Sequence, residues 1–321
     1  MSPELLLPLV DALADGEWHS GEALAQKRGI TRAALSKRVA ALKAWGLQVE
    51  SRTRVGYRLL LPLERLDESR IAKQLSPLAA VRLQRVNVLA VTDSTNAQLL
   101  ASDAGKDPQA LLAEFQSAGR GRRGRAWVSP FGANLYLSLA WSFETWPARL
   151  TALPLAVGVA CTRALPELHN LKLKWPNDLV LDGKKLGGIL IEQRGEAGGA
   201  CRTIIGVGLN VAMQARQGRK IEQSWTSLQA AGLEVSRNAL AAELLSRLIE
   251  ALLTFEQKGF APFATEWQQR DLTLNQKIQI SGAHENHTGI ARGVDDDGAL
   301  KLESRGKIQR VLSGEVSLRL T

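Results

Sequence analysis

Over the first sixty positions, apolar residues recur at helical spacing at Leu5, Leu6, Leu9, Val10, Leu13 and Ala14, and the run stops at Asp15-Gly16. This predicts a first helix. Ser20, ahead of Gly21-Glu22, starts a second helix through Lys27; Gly29 turns the chain, and Thr31 caps a third over Arg32 to Trp45. Between Gly46 and Leu61 the period changes to alternation, with Leu47 and Val49, then Tyr57, Leu59 and Leu61, flanking Arg52, Arg54 and Gly56. Two strands joined by a basic hairpin follow a helix-turn-helix, the pattern of a wing. The third helix turns Ala34, Leu35, Val39 and Leu42 inward and leaves Thr31, Arg32, Ser36, Lys37 and Arg38 polar. Early polar residues of such a helix reach base edges, and basic residues elsewhere hold phosphates, so these five with Ser20, Arg52 and Arg54 form a candidate DNA face. The alternative is a protein-interaction module with a solvated charged face.

Pro62 to Leu66 reads as a short linker, and Asp67 to Ile71 opens a helix ending near Leu75. Val86 to Val91 is an apolar run expected to form a buried strand, and it stops at Thr92-Asp93-Ser94-Thr95-Asn96, ahead of a helix from Ala97 to Asp103. These hydroxyl and amide groups suit a polar ligand, or simple helix capping. Leu111 to Phe115 and Leu135 to Trp141 read as paired strands. Between them, from Gln116, Arg120, Arg122, Arg123 and Arg125 alternate with Gly119, Gly121 and Gly124, ahead of Trp127. No apolar face exists at either period, so the segment is a loop. Its guanidinium groups repel one another unless an anion lies among them, and its glycines let backbone N–H groups approach that anion. Long glycine-rich loops in compact domains are usually lids or binding loops, which points to a phosphate or acyl-phosphate guest; a nucleic-acid patch is the other reading.

A mostly buried helix is expected over Ala148 to Leu165. Lys174, Asn177 and Asp178 surround Pro176, Asp182-Gly183 is a hairpin turn, and Lys185 leads into Gly187-Gly188; Lys184 reads as solubilising. In the strand Ile204 to Val211, Gly206 and Gly208 strip one sheet face of side chains, leaving room for something flat or for a crossing element. Asn238 to Phe255 is a long packing helix, Pro262 to Trp267 a short one, and alternation from Gln276 onward indicates a small β-barrel.

Composition narrows the picture further. A chain of 321 residues, 45% hydrophobic and 23% charged, is long enough for two or three domains with packed cores. A net charge of +9 suits nucleic acid and phosphorylated small molecules alike. With no basic leader and no long apolar run, the expected location is the cytoplasm, with no membrane partner. Cys161 and Cys201 lack metal-ligand spacing and read as buried free thiols.

Asp93-Ser94-Thr95-Asn96, the Gly119 to Arg125 run with Trp127 and Ser129-Pro130, Lys174 to Asp178, Lys185 to Leu190 and Gly206 to Val211 occur in the order seen in biotin protein ligases, which this chain resembles. With the helix-turn-helix in front, residues 5–321 resemble the bifunctional bacterial form that also represses the biotin operon. The resemblance implies an α+β architecture: a winged helix-turn-helix over 1–62, a central class II synthetase-like mixed sheet with helices over 66–270, and an SH3-like β-barrel over 271–321. It implies that biotin is activated with ATP and Mg²⁺ to biotinoyl-5′-AMP and passed to a lysine of the biotin carboxyl carrier protein of acetyl-CoA carboxylase. By motif, Ser94, Thr95, Asn96, Gln116, Gly121, Gly188, Gly206 and Gly208 would surround biotin, and Arg120, Arg122 and Lys185 would bind it and act in catalysis. Arg120 would also meet the nucleotide, with Arg123, Lys174, Asn177, Asp178, Asn210 and Trp225, and Asp178 is the candidate for Mg²⁺. Glu315 and Arg319 are candidates either to reach ATP or to form a structural salt bridge. Implied partners are operator DNA and, once adenylate is bound, a second copy of the chain. A repressor that senses biotin without transferring it and a lipoate-type ligase are the alternatives; the intact loop with Lys185 favours chemistry, and the loop's sequence favours biotin.

Overall fold

The structure is a computed structural model that describes residues 2–102, 107–144, 147, 149–195, 200–281, 286–312 and 314–318. The N-terminal head carries α1 (Pro3–Leu13), α2 (Gly21–Lys27) and α3 (Arg32–Leu42), then a short 3-10 turn over Lys43–Trp45. Ser20 and Thr31 cap α2 and α3 through their hydroxyls, which accept from the N–H groups of Ala23 and Ala34. The wing is β1 (Val49–Arg52) paired antiparallel with β2 (Gly56–Leu59). Leu6, Leu9, Leu13, Leu35 and Leu42 fill the head's core. That core is completed from outside the head: the Trp45 ring lies 5.1 Å from that of Phe131 at 9° and 6.4 Å from Phe115.

The segment expected to be a linker is pinned at nearly every residue. Leu63 N–H donates to the Ala14 carbonyl. Glu64 accepts from the Ser236 hydroxyl, Asn238 Nδ2 and the Arg237 N–H, while Arg65 pairs with Asp11 at 2.8 Å. Leu66 N–H donates to Glu114, whose carboxylate also holds Arg237 in a pair 0% and 5% exposed.

The central body runs α4 (Glu68–Lys73), α5 (Pro77–Arg82), β3 (Arg85–Thr92), α6 (Thr95–Ala101), β4 (Gln109–Gln116), β5 (Asn134–Phe143), α7 (Leu153–Arg163), β6 (Leu171–Lys174), β7 (Asp178–Leu181), β8 (Lys184–Gly195), β9 (Cys201–Asn210), α8 (Arg237–Lys258) and α9 (Ala261–Arg270). Its strands form one sheet in the order β3-β4-β5-β9-β8-β7-β6, antiparallel except for β3 beside β4. The apolar residues of α7 and α8 pack together in the main core with this sheet. Contrary to the expectation of a buried strand, β3 is a half-exposed edge; the Val88 N–H is taken by the Glu68 carboxylate, which blunts part of that edge. Helix α7 begins at Leu153 rather than Ala148, after a 3-10 turn over Leu150–Ala152.

The C-terminal sheet, β10 (Lys277–Ser281), β11 (Asn286–Val294), β12 (Leu300–Ser304), β13 (Lys307–Val311) and β14 (Glu315–Leu318), is antiparallel throughout in the order β13-β12-β11-β10-β14, where the SH3-like module was expected. It is tied to the body by Trp175 Nε1 donating to the Gly298 carbonyl at 2.9 Å, and the segment leading into it by the Leu272 N–H donating to the Leu173 carbonyl. Among the described residues, no helix is long and apolar enough to cross a membrane.

Candidate active site

A cavity of about 920 Å³ opens over β5, β8 and β9. Every residue expected at the biotin and nucleotide sites lines it except Arg123. Its floor is set by register: Ser138 of β5 lies opposite Gly206 of β9, Tyr136 opposite Gly208, and Gly188 of β8 opposite Gly208. A side chain at Gly206 would collide with the Asn96 carboxamide, and a Cβ at Gly208 would lie 2.7 Å from the Trp127 indole. The bare face read from the sequence is therefore covered by the chain's own Asn96 and Trp127, and the remaining cavity lies against them.

The polar end is a buried network. Asn96 Oδ1 lies 2.6 Å from the Ser138 hydroxyl, which is 2.7 Å from Thr95 Oγ1. Thr95 N–H donates to Gln116 Oε1 at 2.9 Å, and Gln116 Nε2 donates to Ser129 Oγ at 3.1 Å. Ser94 caps α6 by accepting from the Ala97 N–H, so the capping reading holds for that residue. Asp93 supports the turn; hydrogen bonds from Gln98, the Ser94 N–H and Thr92 hold its carboxyl below the ordinary aspartate value.

The cationic wall faces this end. Lys185 Nζ is 2.6 Å from Asp178 Oδ1 and 5.6 Å from the centre of the Trp127 ring. Its backbone pairs with the 224–226 segment, with Lys185 N–H donating to the Ser224 carbonyl and Thr226 N–H to the Lys185 carbonyl, which places Trp225 beside the cavity. Asn177 and Asn210 line the cavity while their amides brace it: Asn177 Nδ2 donates to the Ile189 carbonyl and Asn210 Nδ2 to the Thr226 carbonyl.

The arginine-glycine loop is a folded clip. Gly121 N–H donates to the Arg125 carbonyl at 2.7 Å, Arg120 bridges Ala126, and Tyr136 donates to the Pro130 carbonyl beyond the loop. Burial pushes the Tyr136 phenol well above its ordinary value, so it remains a donor. Arg122 reaches the Gly314 carbonyl at 3.3 Å. Arg123, in a left-handed conformation (φ 55°), donates to the Ser281 carbonyl; it joins the loop to the C-terminal sheet instead of facing the cavity as expected. Arg319 and the side chain of Glu315 lie outside the described residues.

The Biotin/lipoate A/B protein ligase family matches residues 88–210, the biotin protein ligase C terminal domain residues 273–319, and an HTH domain residues 10–58. The bifunctional ligase/repressor BirA of Salmonella typhimurium is 43% identical over 98% of this chain and 97% of its own length. The chain belongs to the bifunctional ligase/repressor branch of the biotin protein ligases. A biotin–[acetyl-CoA-carboxylase] ligase of Mycobacterium tuberculosis is 34% identical over 78% of this chain and 95% of its own. The biotin protein ligase of Aquifex aeolicus, solved in complex with biotin and ATP, superposes with a TM-score of 0.63 at 29% identity, covering 74% of this chain and all of that one.

In this ligase the sequence reading passed over Ser138, fully buried beneath the polar network, and Glu192, which anchors Asn96. A serine in the middle of the apolar run Leu135 to Trp141 was the available signal for Ser138; nothing marked Glu192. On the head, Arg32, Ser36 and Lys37 are exposed along α3, and Arg52 and Arg54 are exposed on the wing. Arg38 turns back to the Leu5 carbonyl of α1, and the hydroxyls of Ser20 and Thr31 are engaged as caps.

Proposed function

We infer that this ligase activates biotin with ATP to biotinoyl-5′-AMP and transfers biotin to a lysine of the biotin carboxyl carrier protein of acetyl-CoA carboxylase. The observation that carries this reading is the continuity of one cavity from the buried Thr95, Asn96, Ser138 and Gln116 network to the Lys185–Asp178 pair under the arginine loop. The uncharged network suits a ureido group and the cationic wall a carboxylate becoming a phosphoric anhydride. In the first step a biotin carboxylate oxygen bonds to the α-phosphorus as the bond to pyrophosphate breaks. Lys185, Arg120 and Arg122 offset the charge that builds there. In the second step the carrier lysine's neutral amine attacks the acyl carbon, the bond from that carbon to the phosphate oxygen breaks with AMP as leaving group, and the nitrogen gives up a proton to solvent. Trp225 closes against the adenine, with Lys174 and Asn210 nearby. Phosphate oxygens compete with Asp178 for Lys185, and the carboxylate so released suits Mg²⁺, which takes one or two carboxylates with phosphate oxygens and waters. Bound there, the metal would neutralise phosphate charge.

The decisive assay is transfer of labelled biotin, with ATP and Mg²⁺, to purified carrier domain by the native chain and by Lys185→Ala. Labelling by the native chain and a loss of about a hundredfold or more in the variant is expected; adenylate formation without transfer would demote the protein to a sensor. For the head, the reading is repression of the biotin synthesis operon, with Arg32, Ser36, Lys37, Arg52 and Arg54 on DNA and a homodimer formed in the adenylate-bound state. Equal operator affinity with and without adenylate would rule out that coupling.

A further inference from the structure

Glu192 of β8 lines no part of the cavity, yet it meets two residues that do. Its Oε2 accepts from Asn96 Nδ2 at 2.9 Å, and its Oε1 lies 3.5 Å from Nη2 of Arg120. The Glu192 side chain is 24% exposed. A carboxamide has one accepting and one donating end, so its orientation is decided by whichever neighbour can only accept or only donate. Glu192 and the Leu190 carbonyl take the donating end of Asn96, which leaves Oδ1 to face Ser138 and continue the chain of contacts through Thr95 to Gln116. On its other side the same carboxylate faces the arginine at the stem of the loop, where Arg120 bridges Ala126.

Resting on the biotin-site reading above, we propose that Glu192 is a positioning residue for biotin, orienting the Asn96 amide and holding Arg120 at the loop stem. The two arms are separable by chemistry. Glu192→Gln keeps an oxygen for Asn96 but removes the charge facing Arg120, whereas Glu192→Ala removes both.

The test is biotin binding to the full chain by titration calorimetry without ATP. Glu192→Gln weakens biotin by about two- to fivefold, the range of a partly exposed ion pair. Glu192→Ala weakens it by about tenfold or more, the range of a hydrogen bond to a charged group. In an Arg120→Ala background Glu192→Gln has no further effect, while Glu192→Ala still weakens biotin about tenfold. A merely structural carboxylate would show neither the rescue by glutamine nor the loss of its effect without Arg120. Native affinity in Glu192→Ala, or glutamine and Arg120→Ala effects that multiply independently, overturns the role of Glu192 while the native chain still binds biotin. A native chain that binds no biotin overturns the reading of the site itself and the proposal with it.

Discussion

Replacing Glu114 by Gln measures how firmly the head is fastened to the body. Glu114 is fully buried in β4, and both of its partners are donors: Leu66 N–H at 2.7 Å and Arg237 Nη2 at 2.7 Å. A carboxylate accepts from both, whereas a carboxamide of the same shape offers one oxygen and one NH₂ group, so one contact becomes a meeting of two donors. Arg237, 5% exposed, at the same time loses the carboxylate its Nη2 pairs with, while its Nη1 keeps the carbonyls of Glu64 and Gly132. Breaking a buried pair in this way costs about 3–5 kcal/mol, against less than about 1 kcal/mol for an exposed one, so burial decides the size. At about 2–4 °C per kcal/mol for a unit the size of the central body, the Tm should fall by about 6–20 °C. Scanning calorimetry of native chain and Glu114→Gln near neutral pH is the assay, with Arg237→Met alone and combined to measure the coupling. The combined loss should be smaller than the sum of the single losses. A Tm within about 2 °C of native in Glu114→Gln refutes the argument that this pair holds the junction.

Gly206→Ala should raise the KM for biotin by about tenfold or more, because its methyl group displaces Asn96 from the polar network; an unchanged KM would mean that the amide moves aside freely. Partial burial disfavours the charged form of Glu64, but hydrogen bonds from Asn238, Ser236 and the Arg237 N–H outweigh it and hold the carboxyl below the ordinary glutamate value. A depressed folded pKa gives stability that is present above the unfolded value and lost as pH falls through the folded one. The Tm gap between native chain and Glu64→Gln should therefore be full near neutral pH and shrink below about pH 4, and a gap independent of pH would contradict this. Burial pushes the Cys161 thiol up to about 12, so iodoacetamide should leave it unmodified at mildly alkaline pH until denaturant is added; rapid labelling of the native chain would show that the α7 core opens.

Much of this molecule is legible in local pattern. The head follows from helical spacing that gives way to alternation, and the loop that lines the cavity from an arginine-glycine run that suits neither period. The bare strand is legible too, since Gly206 and Gly208 announce a close approach, although not that Asn96 and Trp127 make it. What stays hidden is long-range. Glu114 and Arg237 are 123 positions apart, and Glu64 meets Arg237 across 173, so no window of sequence shows that the supposed linker has partners on α8. Edge position is hidden for the same reason: β3 reads as buried because its composition is apolar, and only its neighbours show that one side is open. Helix α5 was missed because six residues give too little periodicity to register.

The stacking of Trp45 on Phe131 gives the head the character of a fixed jaw. A head on a slack tether would reach operators of many spacings, because the tether takes up the difference. This one shares its core with the body and has no closed surface of its own on which to swing. In the homodimer proposed above, the distance between the two α3 helices on an operator is therefore set by how the bodies meet, and the DNA has to match that distance. Inserting about half a helical turn between half-sites should abolish paired binding, since it moves one half-site to the far face of the duplex, out of reach of a rigid jaw.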